Sequence, residues 1–191
     1  MQKLLDQLEA EISKRAISED EVASVLKTEP LITNRRIIYG YASVDVVDRE
    51  GQRIPVYALR EAVDRFMKSA FYRPVMIYHS DVTIGRIVPR WTEPDTGKIF
   101  KTEVDDIGWR VVCEIRDDID IANKVWNEIV KGVLRSFSIA GSSKDKLQKT
   151  KNGISYEQVK SLDIYENTVC ETPVNQLSKF DILWNPEKIA I

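Results

Sequence analysis

From Arg36 onward the apolar residues fall into short alternating runs, most of them closed by Gly, Pro, Asp or Asn. This pattern restricts the fold more than any other feature, because a period of two turns one face of each run to a core and the other to water. Such runs cover Ile37 to Val47, Val75 to Ser80, Thr83 to Val88, Lys98 to Val104, Trp109 to Ile115, Val133 to Gly141, Val159 to Cys170 and Leu177 to Trp184. Two stretches have helical spacing instead. Val56, Leu59, Val63, Phe66 and Met67 follow Pro55 in a helix expected to reach Phe71. Ile121, Val125, Trp126, Ile129 and Val130 follow Asp117, Asp118 and Asp120, whose charges suit a helix start, and Gly132 closes that helix. Lys144 to Gly153 is polar and reads as an exposed loop or hairpin. The expectation over residues 34–191 is an α+β domain: a roughly seven-stranded antiparallel or mixed, barrel-like sheet flanked by helices.

Residues 1–33 form a separate helical arm in this reading. Leu4, Leu5, Leu8, Ala10 and Ile12 make a loose stripe, and a capping box from Ser18 to Glu21 opens a second helix through Val22, Val25 and Leu26. Pro30 stops it. Such an arm packs on the body, dimerises, or is a removable, propeptide-like segment, and the sequence does not choose among these.

Composition narrows the function. Hydrophobic residues make up 43%, enough for a buried core. The 28 basic and 30 acidic side chains nearly cancel and form no block of one sign, so nucleic acid is not an expected partner. No apolar run approaches the roughly 18 residues of a membrane span, and Asp6, Glu9 and Glu11 occupy the place of a signal peptide's apolar core. Two cysteines, Cys113 and Cys170, give no disulfide framework, which fits a reduced cytosolic setting. The chain holds a single histidine, His79, so a multi-histidine zinc site is excluded and no metal or cofactor is expected.

Acid–base chemistry near neutral pH then falls to His79 or to a shifted carboxylate. In an extended strand His79 would share a face with Val75 and Ile77. Ser136 and Ser138 would share a face with Leu134 and Ala140, about 6.6 Å apart, so only one can sit beside the histidine. Gly141 allows main-chain N–H groups to turn towards a developing oxyanion. Glu166 would stand on the face of Leu162 and Ile164, where a carboxylate needs a partner, and a histidine to be oriented is one such partner. Cys113, on a face with Trp109, Val111 and Ile115, reads as core, and the aspartates at 117, 118 and 120 read as a solvated helix start.

Together these segments resemble the prohead maturation proteases of tailed bacteriophages, a family related in fold to the herpesvirus protease assemblin. The resemblance runs from about Ile38 to Ile182. It rests on Tyr39-Gly-Tyr-Ala42, the Asp48-x-x-Gly51 turn, Pro74-Val-x-x-x-His79 with Ile84-Gly85, Gly132-Val-Leu-Arg-Ser-Phe-Ser138-Ile, and Glu166-x-Thr168-x-Cys170-x-x-Pro173-x-Asn175. Two positions depart from the family pattern: Ala140 intervenes before Gly141, and Ser136 stands where a residue such as Gly is usual, which makes it a rival nucleophile. The resemblance implies an assemblin-like fold and a serine endopeptidase with Ser138 as nucleophile, His79 as base and Glu166 as the third member, ahead of Glu171 and Asp81. Main-chain N–H groups of Ile139, Ala140 and Gly141, aided by Arg135, would stabilise the oxyanion. It further implies scaffold and major capsid proteins as substrates inside the immature head in the host cytoplasm, self-cleavage, and a homo-oligomer. The alternative is a non-enzymatic head or scaffold-associated protein that keeps the fold.

Overall fold

The computed structural model describes residues 35–68 and 73–186; the arm expected over 1–33 lies outside them, as does the end of the first helix towards Phe71. In chain order the described elements are β1 (Arg36–Val44), β2 (Gln52–Arg53), α1 (Val56–Lys68), β3 (Pro74–Ile77), β4 (Thr83–Val88), β5 (Arg90–Thr92), β6 (Ile99–Lys101), β7 (Glu103–Val104), β8 (Gly108–Ile115), α2 (Asp120–Val130), β9 (Ser136–Lys151), β10 (Ile154–Cys170) and β11 (Phe180–Trp184). Nine strands form one mixed sheet in the order β11-β1-β8-β4-β3-β10-β2, with β7 on β8 and β9 on β10, while β5 and β6 form a separate ribbon. The α+β class and the mixed sheet are as expected. The strand number exceeds the expected seven because short pairings such as β2 and β7 have too few residues to show a period.

The sheet curls back on itself. Phe137 N–H donates to the Ser178 carbonyl (3.0 Å), Phe180 N–H to that of Arg135 (3.2 Å) and Tyr41 N–H to that of Lys179 (3.0 Å), which joins the start of β9 to the β1 and β11 edge. Inside the curl lies the main core, which includes Ile38, Val75, Ile84, Trp109, Phe137 and Val169. Val112 faces the other way and joins Ile37 and Trp91 in a smaller cluster, so β8 is buried on both sides.

Helix α1 buries Ala58, Leu59, Ala62, Val63 and Phe66, one stripe at helical spacing. Phe66 meets Trp109 edge-on at 5.8 Å between ring centroids. Its first turn takes no local cap: Asp45, just after β1, accepts the Val56 N–H at 3.1 Å and pairs with Arg53 at 2.5 Å. Helix α2 buries Ala122, Val125, Trp126 and Ile129. Ile121 and Val130, expected on that face, are exposed, because the buried stripe is narrower than the apolar one: they lie at its two margins, and Ala122 fills its middle. Gly132 sits just beyond this helix at φ +76°, a conformation that costs a residue without a side chain little.

The polar stretch from Lys144 to Gly153 is one arm of a long hairpin. Lys151 pairs with Ile154 across Asn152-Gly153, whose φ values of 53° and 80° make the two-residue turn that suits the twist of antiparallel strands.

Candidate functional site

His79 does not continue the strand before it. Strand β3 ends at Ile77, and Tyr78 and His79 both take positive φ, 51° and 53°. Two successive side-chain-bearing residues in the left-handed region cost about 1–2 kcal/mol each, so tertiary contacts must hold them there. Three hydrogen bonds do. Tyr78 N–H donates to the Val169 carbonyl (3.1 Å), Ser80 N–H to the Ile77 carbonyl (3.0 Å), and His79 N–H to Thr168 Oγ1 (3.0 Å). The expected shared face of Val75, Ile77 and His79 is therefore corrected. The left-handed pair turns the imidazole out of the strand's alternation and towards β10, which runs parallel to β3 with Met76 opposite Thr168.

Glu166 also differs from its expected setting. Ile164 pairs with Gly141 and Glu166 with Ala140, so Tyr165 is an extra residue, a β-bulge. One added residue reverses the alternation, and Glu166 lies on the face opposite Ile164 rather than beside it. Ile164 joins the core, while Glu166 shares its face with Thr168 and, across the pair, with Ala140 and Ser138. The bulge is held from two sides. Tyr165 donates its hydroxyl to Ser142 Oγ at 2.7 Å, and Gly141 lets the Asp163 carbonyl come so close that a Cβ on it would lie 2.1 Å from that oxygen.

These two local departures bring the side chains together. His79 Nδ1 lies 2.6 Å from Glu166 Oε1, with the carboxylate side chain only 12% exposed. A carboxylate accepts and cannot donate, so Nδ1 carries the proton of this bond and Nε2 is left as the free basic nitrogen. Neither Glu171 nor Asp81 takes this place; both are exposed.

The two serines separate. Ser136 is fully buried, and its hydroxyl points to the Glu171 carbonyl at 3.4 Å. Ser138 is 6% exposed, stands directly opposite Thr168 in the β9/β10 register, and lines a cavity of about 550 Å³ together with His79. Directly opposed residues of an antiparallel pair have Cβ atoms about 4.5–5.5 Å apart, so Thr168 links Ser138 on one side to the His79 main chain on the other. Among the described residues no hydrogen-bond partner engages the Ser138 hydroxyl. Ile139, Ala140 and Gly141 line the same cavity, as do Asp48, Glu50, Gln52 and Asn175. Arg135 is exposed, and its carbonyl bonds Phe180 N–H.

The closing motif ties the tail to this wall. Asn175 Nδ2 donates to the Val44 carbonyl at 2.6 Å, and Arg49 to the Pro173 carbonyl at 2.7 Å. Asp48 Oδ1 accepts the N–H groups of Glu50 and Gln52, both at 2.9 Å, which shapes the turn beside the cavity. Residue-by-residue reading missed the bulge at Tyr165 and the anchoring role of Thr168. Thr168 carried a signal, its fixed place two residues after Glu166.

The remaining reactive groups are spent on structure. Cys113 is fully buried, which drives its thiol far up, with Asn167 Nδ2 3.7 Å away. Burial pushes the Cys170 thiol up to about 11. Neither is a nucleophile at neutral pH. Asp118 is engaged by the Arg116 guanidinium through two contacts of 2.7 Å, which holds its carboxyl below the usual range. No helix among the described residues is long and apolar enough to cross a membrane.

The chain is similar to several known proteins. The prohead protease of Escherichia phage T5 is 28% identical over 147 residues, covering 76% of this chain, and the chain spans 61% of that relative's length. The crystal structure of KSHV protease in complex with a hexapeptide phosphonate inhibitor is similar with a TM-score of 0.46 and 12% identity, over 78% of this chain and 64% of that one. The family model of the phage serine protease XkdF matches residues 21–146, a stretch that includes both His79 and Ser138. With more than half of its length matched to that model, the chain belongs to the phage serine protease XkdF family.

Proposed function

We propose that the chain is a serine endopeptidase of phage head maturation in which Ser138 is the nucleophile, His79 the general base and Glu166 the group that orients His79. The observation that carries this reading is the 2.6 Å contact of His79 Nδ1 with Glu166, made beside a cavity that Ser138 and His79 both line. The Ser138 Oγ–carbon bond forms as its proton passes to His79 Nε2 and the carbonyl π pair moves to oxygen. Collapse of that intermediate breaks the C–N bond, and the leaving amine takes the proton from Nε2. Water then repeats the sequence on the acyl-enzyme. Glu166 stabilises the imidazolium in both halves without itself being protonated. Main-chain N–H groups of Ile139, Ala140 and Gly141, on the cavity wall, are the proposed oxyanion donors. Arg135 is given no part, since its side chain lies outside that wall.

Family membership and a relative named as a prohead protease support cleavage of head proteins inside the immature head; scaffold and major capsid proteins as the substrates, the host cytoplasm, self-cleavage and self-association are further parts of the proposal. The test is Ser138→Ala, expressed with the scaffold and capsid proteins of the same phage. Cleavage should fall by about 10⁴-fold or more while immature shells still assemble. Unchanged cleavage in the variant would remove Ser138 as nucleophile. Shells that mature normally with no cleavage by either chain would make this a non-enzymatic head protein.

A further inference from the structure

We infer that Thr168 is a positioning residue for the proposed chemistry: its hydroxyl holds the His79 main chain in the left-handed turn from which the imidazole reaches Glu166 and meets the cavity that Ser138 lines. The inference rests on the reading of Ser138 and His79 given above. Of the three hydrogen bonds that secure residues 78–80, two run between main-chain atoms and belong to the turn and to the β3/β10 edge. The third, from His79 N–H to Thr168 Oγ1 at 3.0 Å, depends on a side chain. It falls on the residue that bears the imidazole. Thr168 is 0% exposed, so the acceptor is set from the protein side and not by bulk water, and an N–H that loses it no longer ties its segment to β10.

The strand register makes this hydroxyl a shared reference point. Thr168 stands opposite Ser138 on β9 and beside Met76 on β3, two residues along β10 from Glu166 and on the same face. All three members of the proposed triad are thus located from one short piece of β10. Glu166 belongs to it, Ser138 pairs with it, and His79 hangs from it by the Thr168 hydroxyl. If that bond is lost, the positive φ at Tyr78 and His79 has one fewer restraint, and the imidazole drifts from Glu166 and from its place on the cavity wall. A misplacement of about 1 Å at a reacting group lowers rate by about 100-fold. Thr168 is too deeply buried to touch a substrate, so binding should be unaffected.

Thr168→Val keeps the shape and removes the acceptor, and Thr168→Ser keeps the acceptor. The probe is diisopropyl fluorophosphate, which forms an Oγ–P bond with an activated serine as fluoride leaves and the serine proton passes to the histidine. The expected result is a 10- to 100-fold fall in the maximal labelling rate of Thr168→Val, with the half-saturating probe concentration within about twofold. Thr168→Ser should recover to within about threefold of wild type. Because His79 is the only histidine, histidine-selective ¹⁵N labelling gives one main-chain amide signal to follow. Its hydrogen exchange should accelerate at least 10-fold in Thr168→Val and stay protected in Thr168→Ser. Should Thr168→Val not fold, Thr168→Cys replaces it, sulfur being a weak acceptor.

Labelled wild type with an unchanged rate or unchanged His79 exchange in the valine variant overturns the inference and leaves the serine-protease reading standing. Equal losses in the valine and serine variants also overturn it, since a packing role would account for both. A wild-type chain never labelled at Ser138 overturns the reading and the inference together.

Discussion

The two ends of the β9/β10 hairpin have the same antiparallel pairing, yet one is a plain ladder and the other builds a site. At the tip, Leu147 to Lys151 pair with Gln158 to Ile154 rung by rung, and the β9 side is exposed throughout. The ion pair that joins this tip to the cavity wall, Lys146 with Glu157 at 3.1 Å, is of the surface kind that contributes at most about 1 kcal/mol. At the base, Ser136 to Ala140 pair with Cys170 to Glu166 with equal regularity, but Ser136, Phe137 and Ser138 are buried. Between the two regular stretches the register shifts three times, the last shift at Tyr165. Regular pairing gives the strand its length and stiffness. The interruptions decide what faces the cavity, because each odd residue reverses the faces of everything beyond it.

Glu166→Gln should break the difference most completely. The amide keeps the face that the bulge sets for residue 166, but His79 loses its carboxylate. The labelling rate of Ser138 should fall by about 10⁴-fold, the scale seen when an orienting acid is lost. Tyr165→Ala keeps the extra residue and gives up only an exposed ring and the bond to Ser142, so it should stay within about threefold of wild type. Equal effects of Glu166→Gln and Tyr165→Ala would mean that the Tyr165 ring matters as much as the carboxylate.

A smaller effect comes from the ion cluster in the irregular middle. Asp163 meets Lys144, a contact that does most to hold its carboxyl below the usual range, and Arg65 at 3.3 Å. A lowered folded-state value means that the associated stability is complete above the ordinary carboxylate value of about 3.9 and is lost as pH falls through the lowered one. Thermal melts should therefore show wild type above Asp163→Asn at neutral pH, with the gap closing below about pH 4. A gap that is constant with pH would assign the difference to packing instead.

The least effect is expected at the tip. Deleting Thr150, Lys151, Ile154 and Ser155 together removes two complete rungs and keeps the parity of the strands and the Asn152-Gly153 turn. Ser138 labelling should stay within about twofold and the melting temperature within a few degrees, as for other changes at exposed positions. A large loss of labelling would show that the tip takes part in the site.

Much of the scaffold was legible because it depends on local spacing. The α1 stripe through Leu59, Val63 and Phe66 and the buried β8 face from Trp109 to Ile115 follow directly from the apolar period. The site was legible in its members rather than in its geometry. His79, Ser138 and Glu166 stand out as a lone histidine, a small-residue strand and a carboxylate in an apolar run, yet two of the three were expected on the wrong faces. The alternation rule assumes that extended backbone continues, and at Tyr78 and Tyr165 it does not.

Ser136 and Ser138 show the same limit from another side. By strand alternation alone they are equivalent, two residues apart on one face. The difference arises because residues 178–180 close over the start of β9, with Ser136 bridged to Lys179, while Ser138 lies two rungs further along, where the cavity opens. What the sequence determined alone is most of the elements and the stock of reactive groups: one histidine, short alternating strands, two amphipathic helices and a polar loop or hairpin over Lys144 to Gly153. Those follow from side-chain chemistry and from periods a few residues long. Which serine meets the cavity, which face Glu166 takes and where His79 points were decided only in the tertiary structure. Each depends on hydrogen bonds between segments tens of residues apart, such as His79 N–H to Thr168, that hold the backbone in conformations no local preference would select.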